Sequence, residues 1–117
     1  MNLKEYSINA ERTCPDLGSQ FNNEMHMALG IATEAGELLD VYKKNFAYGK
    51  PMDYINVREE IGDLMWYTIN LCRLLGVDLE SELDINISKL RARYPERFDS
   101  DHAINRDLAK ERSILEQ

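Results

Sequence analysis

The sequence predicts an all-α protein of the four-helix-bundle type. No stretch alternates apolar and polar residues over the length of a strand, whereas apolar residues recur with a period of about 3.6 along the chain. The chain has 117 residues, of which 44% are hydrophobic and 30% charged, as expected for one globular domain. We therefore expect a single domain over residues 1–117, with a core at about 20–98 and a helical tail at about 100–117.

The N-terminal half of the chain contains one short and one long helix. A short amphipathic helix is predicted from Leu3 to about Thr13, where a turn over residues 14–18 closes it. The first long helix is predicted from about Gln20 to Phe46, before the Gly49 and Pro51 region. Its apolar positions include Met25, Leu29, Ala32, Leu39 and Phe46.

The second half contains two further long helices. Asp53 is a candidate N-cap for a helix that runs through Leu75 and ends at Gly76. Its predicted inner stripe is Ile61, Leu64, Met65, Thr68, Leu71, Cys72 and Leu75. Asp78 begins the third long helix, and Pro95 ends it because the residue before a proline avoids helical angles. The apolar residues of this helix are Leu79, Leu83, Ile87, Leu90 and Tyr94. A last helical piece runs from Ser100 or Asp101 to the C-terminus, with Ile104, Leu108 and Leu115 on one stripe.

Charge and composition exclude several classes of function. The formal charge is −7 and the pI is about 4.8, which argues against binding a nucleic-acid polymer. No apolar run approaches the ~18 residues of a membrane span, so we expect a cytoplasmic protein with no membrane partner. The spacing of Cys14 and Cys72 suggests neither a disulfide framework nor a zinc site. Because so short a chain has a small core, we expect a homodimer or a homotetramer.

Two acidic pairs carry the candidate chemistry. Glu34 and Glu37 are three residues apart on the first long helix, as are Glu60 and Asp63 on the second, so each pair shares a helix face. The intervening residues are sufficient for a turn and an antiparallel return, which would bring four carboxylates together. Such a cluster needs cations to neutralise it, and its hard oxygen ligands suit Mg²⁺ or Mn²⁺. On spacing alone, four solvated acids on helix surfaces explain the pattern equally well.

Small residues beside these acids suggest close approach. Gly36 and Gly62 lie inside the two pairs, although glycine costs a helix about 1 kcal/mol relative to alanine. They leave space for a ligand or a partner helix, and helix packing alone accounts for them too.

The sequence around both pairs resembles a known family. Glu34-Ala35-Gly36-Glu37-Leu38 and Glu60-Ile61-Gly62-Asp63-Leu64-Met65-Trp66-Tyr67 are similar to motifs of the MazG-like nucleoside triphosphate pyrophosphohydrolases. The resemblance continues through residues 75–79, 86–90, 93–95 and 98, and it reaches the tail at residues 105–107. It therefore covers nearly all of the chain from about His26.

This resemblance implies a bundle that holds Mg²⁺, or Mn²⁺ as a substitute, through Glu34, Glu37, Glu60 and Asp63. It implies hydrolysis of a (deoxy)nucleoside triphosphate between the α and β phosphates, which gives the monophosphate and pyrophosphate. Divalent cations neutralise the charge of a triphosphate and activate water, so no Ser, Cys or His nucleophile is needed. Either Glu37 or Glu34 is the candidate base.

Five further residues are candidate substrate ligands. Lys44 follows Glu37 by two helical turns and reaches a phosphate or the base, unless it is a solvated lysine near a helix end. Family members place an aromatic residue against the base, which implies that role for Tyr67. Asn86 and Lys89 match the family's polar stripe on the third long helix and are candidate phosphate or sugar contacts. His26 lies on nearly the same helical line as Glu37, although a lone histidine is often a surface or capping group.

The remaining polar and aromatic positions have simpler interpretations. Arg93 completes the same stripe and is expected to be solvated, and Trp66 belongs to the core, an interface or a base-stacking surface. The missing E-x-x-H motif disfavours di-iron chemistry. The alternative function is a non-catalytic helical module that retains the bundle and uses its groove or its tail to bind a protein.

Overall fold

The computed structural model describes residues 1–117 as six helices without strands, which confirms the all-α prediction. The helices are α1 (Leu3–Glu11), α2 (Gln20–Tyr48), α3 (Tyr54–Leu75), α4 (Leu79–Arg93), α5 (Ser100–Ile104) and α6 (Leu108–Leu115). None of them has both the length and the apolar character that a membrane span requires. The chain divides into two compact units, residues 1–77 and residues 78–117. The single-domain organisation stays a prediction.

The helix ends follow from local capping. A side chain before each helix accepts a hydrogen bond from the backbone N–H three residues later, and these caps are Asn2, Ser19, Asp53, Asp78, Asp99 and Asp107. The caps predicted at Asp53 and Asp78 are thereby confirmed. Gly49 and Gly76 end α2 and α3 with φ of 66° and 70°, a left-handed conformation that glycine adopts without a Cβ clash. Because Gly49 is the stop, α2 runs two residues past the predicted end at Phe46.

In residues 1–77, α2 and α3 form an antiparallel hairpin. The side-chain amide of Gln20, at the start of α2, donates to the carbonyl of Leu74 at the end of α3, with Nε2 and O 2.5 Å apart. Helix α1 packs on α3, where Trp66 Nε1 donates to Thr13 Oγ1 at 3.0 Å. This hydrogen bond assigns Trp66 to the packing between α1 and α3. The buried apolar side chains of this unit are Ala10, Met27, Val41 and Ile69.

In residues 78–117, α6 packs on α4 around one buried carboxylate. Arg93 of α4 donates to Glu111 of α6, with Nε 2.9 Å from Oε1, and Arg106 donates through Nε at 3.0 Å from Oε2. The expectation that Arg93 is solvated is therefore wrong, because this ion pair holds it. The prediction of one continuous helix in the tail is also wrong. It breaks at residues 105–107, where Asp107 turns to cap α6 by accepting from the Lys110 N–H.

Many apolar side chains remain exposed on α2 and α3. Ile61 and Leu75, two ends of the predicted inner stripe, are 53% and 52% exposed, which corrects that part of the prediction. On α2, Leu29, Leu39 and Phe46 are 58%, 69% and 92% exposed. With Met25, Ala32 and Gly36 they follow steps of four and three residues, with Lys43 at the position between Leu39 and Phe46, the spacing of a helix that packs along another helix. All six positions of this α2 seam (residues 25, 29, 32, 36, 39 and 46) are exposed.

Candidate metal centre between the second and third helices

Three carboxylates converge where α2 and α3 face each other. Glu34 of α2 and Glu60 and Asp63 of α3 place one oxygen each within 4.8 Å of one another. Glu60 is buried, Glu34 is half-buried, and Asp63 is exposed, so the cluster opens toward solvent on one side. The pairing of residues on the antiparallel hairpin brings α2 position 34 opposite α3 positions 60 and 63.

Asn56 orients the buried carboxylate. One turn before Glu60 on α3, Asn56 Nδ2 donates to Glu60 Oε1 at 2.9 Å. The other oxygen, Oε2, is buried and has no hydrogen-bond donor. A buried carboxylate oxygen without a donor is costly, and a divalent cation would satisfy it. The donor set therefore fits Mg²⁺ or Mn²⁺, which prefer carboxylate oxygen ligands.

The neighbouring carboxylates change the pKa of Glu34. When protonated, its carboxyl donates a hydrogen bond to Glu60, and this bond is the main reason that the pKa of Glu34 is raised to about 7. Burial and the negative charges of Glu60, Asp63 and Glu37 raise the pKa further. Near neutral pH, a proton would therefore compete with any cation for these carboxylates.

Glu37 is not part of the close cluster. It is exposed and lies one turn beyond Glu34 on α2, near enough for its charge to raise the pKa of Glu34. The structure thus brings together three of the four predicted ligands and leaves Glu37 at the edge.

Tyr67 and His26 lie one and two turns from the cluster. The Tyr67 ring meets the His26 ring edge-on with centroids 6.0 Å apart, and it meets the Trp66 ring at 4.9 Å. Both Tyr67 and His26 are half-buried, and His26 Nδ1 is buried without a hydrogen-bond partner. These residues form an aromatic group between the helices.

Lys44 lies on α2 on the C-terminal side of Glu34, the side opposite to His26. Its ammonium is 3.1 Å from the carboxylate of Asp40, one turn earlier on α2. Its side chain also lines a cavity of about 280 Å³ together with Val41, Lys50, Pro51, Asp53 and Asn56. Asn56 is shared, because it lines this cavity and orients Glu60. A cavity that holds two lysines thus adjoins the residue that supports the cluster.

Asn86 and Lys89 lie on α4, in residues 78–117. Asn86 is exposed and Lys89 is half-buried. Their predicted contact with substrate stays a prediction.

Sequence reasoning missed three residues near the cluster. Asn56 has a local signal, since it precedes Glu60 by four residues on the same helix. Tyr6 of α1 lies near enough to Asp63 that its pKa, raised mainly by burial, is raised further by that negative charge. No spacing along the chain indicates this contact. The third residue, Gly30, packs against Tyr67.

A comparison of the sequence with known protein families agrees with this geometry. The family model of the MazG nucleotide pyrophosphohydrolase domain matches residues 22–98, which is about two-thirds of the chain and includes all four acids. No curated protein and no solved structure gave a match. On the strength of the family match, the chain belongs to the MazG nucleotide pyrophosphohydrolase family.

Proposed function

We propose that this protein hydrolyses (deoxy)nucleoside triphosphates between the α and β phosphates and releases the nucleoside monophosphate and pyrophosphate. The observation that carries this proposal is the convergence of Glu34, Glu60 and Asp63 within 4.8 Å in a chain of the MazG family. A cytoplasmic location, where such substrates are available, is part of the proposal.

Glu34, Glu60 and Asp63 would hold Mg²⁺, with Glu37 as a further ligand and Mn²⁺ as a substitute. The cation would supply charge neutralisation for the triphosphate and would lower the pKa of water. Glu60 is suited to permanent ligation, because Asn56 fixes one oxygen and leaves the other without a donor. Asp63 is exposed and lies where a substrate can approach.

The chain's own residues also account for proton transfer. Hydrolysis adds water across the bond from phosphorus to the bridging oxygen, and the water gives up a proton as pyrophosphate leaves. Glu34 or Glu37 accepts this proton in our proposal. Glu34 is half-buried beside the other two carboxylates of the cluster, and the exposure of Glu37 leaves it free to reach water.

Substrate contacts are proposed at both ends of the cluster. Lys44 and Lys50 flank the cavity beside Asn56 and would bind phosphate oxygens there. At the other end, Tyr67 and His26 would lie toward the base. Contact of Asn86 and Lys89 with phosphate or sugar stays a prediction from the sequence.

The proposed activity predicts pyrophosphate release. Incubation with Mg²⁺ and a panel of purine and pyrimidine nucleoside triphosphates, each as ribose and deoxyribose forms, is expected to yield monophosphate and pyrophosphate in equal amounts. Chromatography of the products separates this cleavage from loss of the terminal phosphate. Absence of any hydrolysis with Mg²⁺ and with Mn²⁺ would favour the non-catalytic interaction module.

We also propose that the α2 seam binds a second copy of the chain, as a homodimer or a homotetramer. Leu29, Leu39 and Phe46 are exposed in steps that match helix–helix packing, and burial of such side chains contributes about 1.5–3 kcal/mol each.

This assembly predicts a mass of two or four times 13.6 kDa in sedimentation at micromolar concentration. Leu39→Glu is expected to shift the mass toward one chain, because it places a charge in the seam. Lys4→Glu is the control, because it introduces the same carboxylate at an exposed position of α1 outside the seam. A wild-type mass near 13.6 kDa would contradict the proposal.

A further inference from the structure

Gly30 of α2 is in close contact with the aromatic ring of Tyr67 on α3. A Cβ atom added at Gly30 would lie 2.1 Å from Tyr67 Cδ1 and Cε1 and 2.5 Å from Cζ. These distances are far below van der Waals contact, so no other residue fits at position 30 while the ring keeps its place. Gly30 is buried, and the half-buried Tyr67 ring also contacts His26 and Trp66. A shift of the ring away from Gly30 would therefore change these two contacts as well.

The other helical glycines of this hairpin have open surroundings. A Cβ atom added at Gly36 or at Gly62 would meet nothing within 4 Å. Of these three glycines, only Gly30 is required by a close contact, and that contact is with Tyr67.

The contact lies one helical turn from the acidic cluster on both helices. Gly30 precedes Glu34 by four residues on α2, and Tyr67 follows Asp63 by four residues on α3. Residues four apart on a helix lie above one another on the same face. The point where Gly30 meets Tyr67 therefore adjoins the point where Glu34 meets Asp63, along the same pair of helices.

We propose that Gly30 and Tyr67 are positioning residues, whose contact sets the separation of α2 and α3 at the Glu34–Glu60–Asp63 cluster. The proposal rests on the proposed function, in that the cluster binds a divalent cation. Mg²⁺ and Mn²⁺ bind oxygen at short and narrowly defined distances, so a small increase in helix separation withdraws Glu34 from the ligands of α3. Tyr67 then acts as a spacer, whether or not it also meets the base.

The test measures Mn²⁺ affinity without nucleotide, by titration calorimetry and by the electron paramagnetic resonance signal of free Mn²⁺. Gly30→Ala is expected to raise the Kd for Mn²⁺ by about tenfold or more, in the range known for lost supporting contacts at metal sites. Tyr67→Leu is expected to raise it by about threefold, since a smaller side chain supports the spacing less well. Gly30→Ala combined with Tyr67→Leu is expected to bind more tightly than Gly30→Ala alone, because the smaller side chain makes room for the Cβ atom.

Gly62→Ala is the matched control, the same substitution at an exposed glycine of α3 with open surroundings. It is expected to leave the Kd within about twofold of wild type and to make the helix more stable. Because the assay contains no nucleotide, a role of Tyr67 in base binding does not affect the readout. Circular dichroism identifies the variants that fold, and if Gly30→Ala does not fold, Tyr67→Leu carries the test.

Two results would overturn the proposal while leaving the proposed function intact. One is a folded Gly30→Ala protein that is less stable than wild type but binds Mn²⁺ as Gly62→Ala does, which would make the contact purely structural. The other is a double variant that binds Mn²⁺ no better than Gly30→Ala or, where Gly30→Ala does not fold, a Tyr67→Leu protein that binds Mn²⁺ as tightly as wild type. Wild-type protein that binds no Mn²⁺ would overturn the proposed function and this proposal together.

Discussion

Glu60→Gln is expected to lower the rate of pyrophosphate release by at least about 100-fold. The substitution keeps the size of the side chain and an oxygen that accepts from Asn56, but it removes one negative charge from the cluster. Charge stabilisation at a metal site supplies several kcal/mol of the lowering of the barrier, and each 1.36 kcal/mol corresponds to about tenfold in rate. Because like charges repel within the cluster, the variant is expected to fold and to be at least as stable as wild type in chelator.

Glu82→Gln is the control for this experiment. Glu82 is an exposed acid on α4 outside the cluster, so the substitution is expected to leave the rate within about twofold of wild type. Glu37→Gln, assayed beside them, tests whether the exposed fourth acid takes part as ligand or base, in which case its rate falls by orders of magnitude as well. Equal rates for Glu60→Gln and Glu82→Gln would mean that the cluster is a group of ordinary helix-face charges.

In chelator, the metal-free protein is expected to become more stable as the pH is lowered from 8 to 5.5. Glu34 has a pKa of about 7 in the folded chain, raised from an ordinary value of 4.5 by its hydrogen bond with Glu60 and by burial and neighbouring charges. The folded state therefore binds more protons than the unfolded state between these two values. By linkage, the stabilisation is complete below the lower value and is lost as the pH rises through the higher one.

The size of this effect is limited by solvent. Glu34 is half-buried, so we expect about 1–2 kcal/mol after screening, which corresponds to several degrees in melting temperature for a chain of this length. Carboxyl groups with a lowered pKa make the folded protein less stable as the pH falls, but only at pH values below this window. An example is Glu111, whose pKa is lowered chiefly by hydrogen bonds from Arg106. The difference between wild type and Glu34→Gln from pH 5.5 to 8 therefore measures the contribution of Glu34.

Saturating Mg²⁺ is expected to reverse this trend. Cations bind the deprotonated carboxylates, so the melting temperature with Mg²⁺ should rise from pH 5.5 to pH 8, and 100-fold excess over Kd adds about 2.7 kcal/mol. Melting curves by circular dichroism at a series of pH values, with EDTA and with Mg²⁺, measure both slopes. Glu34→Gln should abolish the slope in EDTA. A wild-type protein with the same slope in both buffers would show that the cluster holds no cation.

The sequence by itself determined the helices and the family. Capping side chains such as Asp53 and Asp78 satisfy backbone N–H groups within their own helix, and Gly76 ends α3 by its own left-handed conformation. These are local effects, so they can be read from neighbouring residues without knowledge of the fold. The spacing of three between Glu34 and Glu37, and between Glu60 and Asp63, is equally local and assigns each pair to one helix face.

Only the tertiary structure decided which of these acids meet. The register and rotation of α2 against α3 place Glu34 opposite Glu60 and Asp63 and leave Glu37 one turn away, exposed to solvent. A helical repeat defines the face of one helix, but the contact between two helices depends on their packing, which here includes the ring of Tyr67 against Gly30.

The same distinction explains the errors in the tail and the predicted core. Arg93 and Glu111 are eighteen residues apart, and their ion pair arises because α6 folds back onto α4 after the break before Asp107. Leu39 and Phe46 have the periodicity of a buried face, yet they are exposed because α3 packs on a different side of α2. Periodicity shows that a helix has an apolar face, and the arrangement of the other helices decides whether this chain covers that face.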